Sequence, residues 1–293
     1  MTMQIAILGL GLIGGSMAAG LRQQGNRIVA FDKFPASVAK GLELGVIDDA
    51  ASSVAEAVAN ADIVVLAVPV LAVEQVLAEI PEDFHGVLTD VGSVKQPILD
   101  ALRNVYGTVP EHFVAGHPIA GSEQHGVMAA NPDLFRQHRV LLTPLENTHA
   151  GAIQQVQSLW QSLGAEVSTM SVEHHDRVLG QTSHLPHLLA FSLIDTLSSQ
   201  GNSLEIFEYA AGGLRDFSRI AASDPTMWGD IFLSNRSALL QILDEFSEDL
   251  AALRETIEQG DREDLLARLE RSKAARDHFT QVLLRRTKPE GEA

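Results

Sequence analysis

The chain has no cysteine. That excludes disulfides, thiolate catalysis and Cys-ligated metal centres. It is also short of cations: 21 Lys plus Arg stand against 38 Asp plus Glu, a formal net charge of −17. Nucleic acids and anionic membranes both demand basic surface, so neither is expected as a partner. An anionic small molecule must then be met by a few placed cations, and each arginine near a suspected site carries weight. No apolar run reaches the length of a membrane span. The apolar start, Met3 to Leu21, has no basic residue before Arg22 and is interrupted by glycines, so it reads as strand, turn and helix and not as a secretory signal. The cytoplasm is the expected location. There is no internal repeat and no low-complexity segment. What is present, 293 residues at 45% hydrophobic and 20% charged, is ordinary globular composition with length for about two domains.

The first of these opens on Gln4-Ile5-Ala6-Ile7-Leu8, a continuous apolar run suited to a strand buried on both faces. Gly9, Gly11 and Gly14 follow in G-x-G-x-x-G spacing. In a dinucleotide-binding turn the first glycine makes the tight turn, the second admits the pyrophosphate, and the third allows close helix–strand packing. The helix from about Ile13 to Gln24 would turn its free N–H groups, and Leu12 and Ile13 with them, toward the phosphates. A second strand, Arg27 to Phe31, ends in Asp32, where a carboxylate would bind the ribose hydroxyls and repel a 2′-phosphate. NAD is therefore the expected cofactor. A third strand, Ala61 to Val68, is stopped by Pro69, and Val68 and Pro69 should lie beside the dinucleotide.

Strand and helix continue to alternate. Val87 to Val91 is a strand ending at Gly92-Ser93-Val94-Lys95, where Ser93 either caps the helix Gln96 to Tyr106 or faces a ligand. Phe113-Val114-Ala115 is a short strand that breaks at Gly116, and His117-Pro118 follows at once. Ligands of open α/β sheets sit outside the carboxyl ends of the strands, so His117 is a candidate for contact with a bound molecule. The last strand is expected at Glu166 to Met170, and the domain boundary near residue 171. The division is thus 1–171, a Rossmann-like α/β dinucleotide-binding domain, and 172–293, an all-α domain. In the latter, Leu239, Leu243, Phe246, Leu250, Leu253 and Ile257 follow a 4-3-4-3-4 spacing. That is a helix with a coiled-coil-like stripe, which serves either a subunit interface or the core of a bundle.

Three polar clusters mark the helical half: Glu173-His174-His175-Asp176, Ser183-His184-Leu185-Pro186-His187 and Arg215-Asp216-Phe217-Ser218-Arg219. The first reads as polar loop. In the second, Pro186 near the first turn of a helix leaves His184 and His187 on one face. With a third ligand from the first cluster they would suit a metal, but nicotinamide hydride chemistry needs none, so no metal is expected. Arg215 and Arg219 either bracket a carboxylate or pair with Asp216 on a solvated helix.

Taken in order, Gly9-Leu10-Gly11-Leu12-Ile13-Gly14-Gly15-Ser16, Asp90-Val91-Gly92-Ser93-Val94-Lys95, Gly116-His117-Pro118-Ile119-Ala120-Gly121, Ser183-His184-Leu185-Pro186-His187 and Asp216-Phe217-Ser218-Arg219 resemble the prephenate/arogenate dehydrogenases of tyrosine biosynthesis, from about residue 4 to residue 280. The resemblance implies NAD-dependent oxidative decarboxylation of prephenate to 4-hydroxyphenylpyruvate, in a homodimer formed through the helical domain. It implies that His117 hydrogen-bonds the ring hydroxyl and takes its proton, that Ser93 supports that bond, and that Arg219 holds a substrate carboxylate. It further implies a pocket lined by Ser183, His184 and His187, with Glu123 and Asp216 in ionic contact with the arginine at its mouth. Arogenate, which carries an amine in place of the keto group, is the alternative substrate, alone or beside prephenate. No further domain is expected at either end, so feedback by tyrosine would act at the active site. A β-hydroxyacid dehydrogenase of similar domain order would need a lysine in the helical half, and residues 171–260 contain none. A non-catalytic NAD sensor would keep the glycine turn without needing Ser93, His117 and Arg219 together.

Overall fold

The computed structural model describes residues 2–121, 124–201 and 203–287. Strands β1 (Gln4–Leu8), β2 (Arg27–Phe31), β3 (Asp49–Ala50), β4 (Ile63–Leu66), β5 (Val87–Asp90) and β6 (Phe113–Val114) form one sheet in the order β3-β2-β1-β4-β5-β6, every pair parallel. This is a doubly wound sheet, and the order reverses between β1 and β4, where such sheets bind ligands. Period-two alternation divides the strand residues between two cores. Ile5, Ile7, Ile63 and Val65 face the core that also holds Met17, Leu21 and Trp160. Ala6, Leu8, Val64 and Leu66 face the one that holds Leu77, Ile98 and Leu102.

A second sheet follows, of β7 (Gly116–Pro118), β8 (Arg139–Leu142) and β9 (Glu166–Thr169), with β7 antiparallel and β9 parallel to β8. This corrects the expectation for His117. The histidine is not in a turn after a strand; it is the middle residue of β7 and pairs with Leu141. The chain changes sheets at Ala115, because Gly116 carries no side chain where the carbonyl of Asp90 approaches to 3.0 Å of the position a Cβ would take.

After Thr169 the described residues are helical. The chain forms two compact units, Met1–Leu239 and Leu240–Ala293. The helices Val172–Leu179, Leu185–Ser198 and Pro225–Ser234 belong to the first, with the strands. The second consists of the remainder of the helix Arg236–Gln259 and the helix Arg262–Thr287. Their turn is made by Gly260, at φ 65°, and Asp261 caps the second helix by accepting from the Asp264 amide at 3.0 Å. Along the stripe, Leu250 and Ile257 are 55% and 60% exposed. Among the described residues no helix is long and apolar enough to cross a membrane.

The glycine turn has the geometry its spacing implies. Gly9 sits at φ 101°, and a Cβ there would lie 2.4 Å from the Ala67 carbonyl oxygen. At Gly14 a Cβ would lie 2.1 Å from the Gly9 oxygen, whereas at Gly11 it would meet nothing within 4 Å. Gly9 and Gly14 are thus required by the fold itself, and Gly11 faces open space. Gly9→Ala or Gly14→Ala is expected to lower the unfolding free energy by about 1–3 kcal/mol in urea melts. Gly11→Ala is expected to leave the melt unchanged and to weaken dinucleotide binding; equal destabilisation by all three changes would contradict this division of roles.

Candidate active site

The cofactor side of the site is built by the ends of β1, β2 and β4. The helix Leu12–Gln23 starts at Gly11 with no side-chain cap and no acidic residue in its first turn, so its amides and positive dipole end are available to an anion. Leu12 and Ile13 are partly exposed there. The Asp32 carboxylate accepts from the Leu10 amide at 2.7 Å and the Phe34 amide at 2.8 Å. It therefore braces the glycine turn and keeps lone pairs for a diol. The Ala67 amide donates to the Leu8 carbonyl at 2.7 Å, which brings Ala67 and Val68 alongside Gly9, with Pro69 the next residue. The open face at Gly11, the uncapped helix start and the placed carboxylate fit a dinucleotide.

The other side is built on a buried ion pair. The Lys95 ammonium, fully buried, pairs with the Asp90 carboxylate and donates to the Gly116 carbonyl at 2.6 Å. Asp90 in turn accepts from the Gly92 amide at 2.7 Å and the Gly116 amide at 3.1 Å. Both polar groups of Gly116 are thereby held one residue before His117. Burial lowers the Lys95 pKa, while the neighbouring Asp90 and Asp176 carboxylates act in the opposite sense.

His117 Nδ1 lies 2.9 Å from His175 Nε2, and His175 Nδ1 lies 2.7 Å from the Asp176 carboxylate. This corrects the polar-loop reading of the first cluster. Ser171 caps a helix from Val172, accepting from the His174 amide, and His175 and Asp176 lie on its buried side. It also corrects the cap assigned to Ser93. The helix Gln96–Tyr106 is capped across the fold by Asp176, whose two oxygens accept from the Lys95 and Gln96 amides, each at 2.9 Å. Ser93 lies in the turn between the two, and its hydroxyl forms no hydrogen bond among the described residues.

Beyond Leu179 the helix widens into a π turn, Gly180–His184, before continuing as Leu185–Ser198 with Pro186 in its first turn. Such turns frequently mark functional sites. Here it carries Ser183 and His184. The Asn235 amide nitrogen donates to the Asp176 backbone carbonyl at 2.8 Å and faces His184 Nδ1 at 2.9 Å, so that Nδ1 accepts. His187 donates from Nδ1 to the Ser183 carbonyl at 2.9 Å and stacks on Trp228, 3.6 Å between centroids at 18°. Trp228 and Ile231 pack on Val94, which ties these helices to the end of β5. Arg219, in a short 3₁₀ turn, is exposed and within electrostatic reach of His187. Asp216 pairs with Arg215 at 3.1 Å on an exposed helix, the solvated pairing weighed for that cluster. Glu123 lies outside the described residues. Among the described residues no group of three or more His, Asp or Glu is arranged to hold a metal ion.

The sequence thus singled out Ser93, His117, Ser183, His184, His187 and Arg219, gave no role to Lys95, Asp90 or Asn235, and read His175 and Asp176 as polar loop. A lysine and an aspartate flanking Ser93 in a cation-poor chain were the available signal for the first two. The other three are joined to the site only by contacts across 51 to 81 residues of sequence.

Four imidazoles share one electrostatic condition. Burial pushes His117 well below the usual histidine value, reinforced by His175, Lys95 and His184. Burial likewise lowers His175 and His187, and brings His184 to about 4. All are neutral at pH 7. A histidine whose folded pKa is depressed binds its proton more readily when unfolded, so its stabilisation is present above about 6.5 and lost as pH falls toward the folded value. For His184 alone, at about 1.4 kcal/mol per unit, a shift from 6.5 to about 4 is worth about 3 kcal/mol at neutral pH. Urea melts at pH 7.5, 6 and 5 are expected to show a loss of several kcal/mol between the first and the last. A flat profile over that range would contradict burial of these rings as neutral species.

Comparison with known proteins matches two family models end to end: prephenate dehydrogenase, nucleotide-binding domain, over residues 17–169, and prephenate dehydrogenase, dimerization domain, over residues 171–271. A cyclohexadienyl dehydrogenase of Zymomonas mobilis is 39% identical, covering 93% of this chain and 94% of the relative. A prephenate dehydrogenase of Bacillus subtilis is 38% identical, covering 93% of this chain and 75% of its own length. The crystal structure of Aquifex aeolicus prephenate dehydrogenase in complex with hydroxyphenyl propionate and NAD+ superposes with a TM-score of 0.87 at 36% identity, covering 95% of this chain and 99% of that one.

Proposed function

The chain belongs to the prephenate dehydrogenase family, and on that premise we propose that it oxidatively decarboxylates prephenate to 4-hydroxyphenylpyruvate in aromatic amino acid biosynthesis. The observation that carries this reading is His117, an imidazole held neutral by burial beside Lys95, His175 and His184. NAD, held by Gly9, Gly11, Leu12, Ile13, Gly14 and Asp32 with Val68 and Pro69 beside it, supplies the hydride acceptor.

The chain's own residues do the rest. As the carbon bearing the ring hydroxyl loses its hydride it becomes electron-poor unless the hydroxyl proton is drawn away. His117 accepts that proton, as a neutral imidazole can near pH 7. Ser93, with an uncommitted hydroxyl, supports the hydrogen bond to the substrate. Arg219 binds a carboxylate of the dianion, a charge-assisted contact typically worth about 1.5–3 kcal/mol. Ser183, His184 and His187 line the pocket, and Asp216 modulates the arginine at its mouth. Because the imidazoles are neutral, they repel neither the keto group of prephenate nor the ammonium of arogenate. Use of arogenate as well is the second reading, favoured by likeness to the relative named cyclohexadienyl dehydrogenase.

A boundary near residue 171 is supported by the change from strand to helix and by the two family models, which adjoin there. The stripe Leu239 to Ile257 is read as the seam of a homodimer, supported by its exposed Leu250 and Ile257. Sedimentation at micromolar concentration is expected to give the dimer mass; a monomer would reject the seam.

The central test is NADH formation with prephenate and NAD, against arogenate and against NADP, for wild type and His117→Asn. The variant is expected to keep its melting temperature and NAD binding while kcat falls by about 10²–10⁴. Since the base works only when neutral, wild-type activity should hold down to pH 6.5 and decline only below it, in line with the depressed His117 pKa. A folded His117→Asn enzyme with near-wild-type kcat would remove His117 from the chemistry.

A further inference from the structure

We propose that His175 and Asp176 are positioning residues for His117: a carboxylate–imidazole–imidazole relay that keeps the His117 proton on Nδ1 and leaves Nε2 free to accept from substrate. The proposal rests on His117 being the base, and it follows from counting protons along two short contacts.

Asp176 accepts from three donors: the Lys95 amide, the Gln96 amide and His175 Nδ1. Burial alone would raise its pKa, but these three hydrogen bonds outweigh it and hold the group ionised. An ionised carboxylate only accepts, so the proton in the 2.7 Å contact belongs to His175 Nδ1. His175 is fully buried and neutral near pH 7, which leaves its Nε2 as a lone pair. The 2.9 Å contact to His117 must then contain the His117 Nδ1 proton. A neutral His117 carries no second proton, and its Nε2 is bare. Without the relay the ring is free to place its proton on Nε2, as histidine mostly does in water, and that tautomer has nothing to offer a hydroxyl proton.

The same line provides a place for the charge. As the substrate O–H bond breaks, a new N–H bond forms at His117 Nε2. The His117 Nδ1–H bond can then break as one forms at His175 Nε2, so that positive charge moves next to Asp176 and away from the reacting carbon. Once CO2 has left, the phenolate oxygen takes the proton back along the same path, and the reaction neither consumes nor releases a proton. The other charged or titratable groups facing His117 are Lys95, with its partner Asp90 on the turn and strand before it, and His184 on the π turn. Lys95 and His184 disfavour a positive His117, whereas Asp176, with Asp90 behind it, favours positive charge one step along at His175.

The test is direct observation of the tautomer. Long-range proton–nitrogen correlation on 15N-histidine-labelled full-length protein at pH 8, with His117 assigned by the signal missing in His117→Asn, is expected to show His117 protonated at Nδ1 and bare at Nε2. Asp176→Asn is expected to lower kcat about 10–100-fold, the usual range when a supporting partner of a functional imidazole is lost. It should also move the acidic limb of kcat/KM to lower pH, with Asp176→Glu recovering part of both. A purely structural role for Asp176 predicts lower stability with the acidic limb in place. His117 protonated at Nε2 in the wild type, with His117→Asn inactive, overturns the relay and leaves the base assignment standing. His117 protonated at Nδ1 with His117→Asn fully active overturns the base assignment, and the relay's catalytic role with it.

Discussion

The arrangement depends on one buried ion pair. Removing an ammonium and a carboxylate from water costs several kcal/mol for each ion, and the loss is offset only when geometry and extra hydrogen bonds are good. Lys95 and Asp90 meet that condition because the pair also engages the Gly92 amide and both polar groups of Gly116. The constraint therefore falls on the backbone, at the point where the chain leaves one sheet and enters the next. His117 is the following residue, so its position is set by a charged clamp and by strand pairing together. A glycine is needed at 116 because the Asp90 carbonyl stands where a side chain would begin.

Around that clamp the helices contribute neutral rings and one carboxylate, Asp176. In this acidic chain the candidate site is not filled with cations: four imidazoles are pressed toward the neutral form by burial. Arg219 stands exposed, within electrostatic reach of His187. This separates charge from neutral rings: a guanidinium stands exposed at the edge, while neutral imidazoles lie buried inside. Asp176 links the two halves of the network: its carboxylate caps the helix after β5 and holds His175, and its backbone carbonyl receives Asn235.

Much of this was legible in the chain of letters. The glycine spacing after an apolar run, the acidic end of β2 and the alternation of strand and helix are local signals, and each reports a local physical need: a φ that only glycine adopts freely, a helix start without a side-chain cap, a period of two along a buried strand. The candidate site residues His117, His184, His187 and Arg219 were legible through resemblance. The strand around His117 was not, because a strand of three residues has too little pattern to distinguish it from a turn, and its partner β8 lies more than 20 residues away.

The sequence by itself determined the fold class, the dinucleotide turn and the residue types available for catalysis, since those follow from near-neighbour sterics and hydrophobic periodicity. Only the tertiary structure decided which of those residues work together. Asp176 reads as a solvated residue in a polar run, and Ser93 as the obvious cap for the next helix. The fold buries the first against the second's helix and gives it the cap, because a carboxylate taken out of water must find donors, and the nearest unpaired amides are those of Lys95 and Gln96.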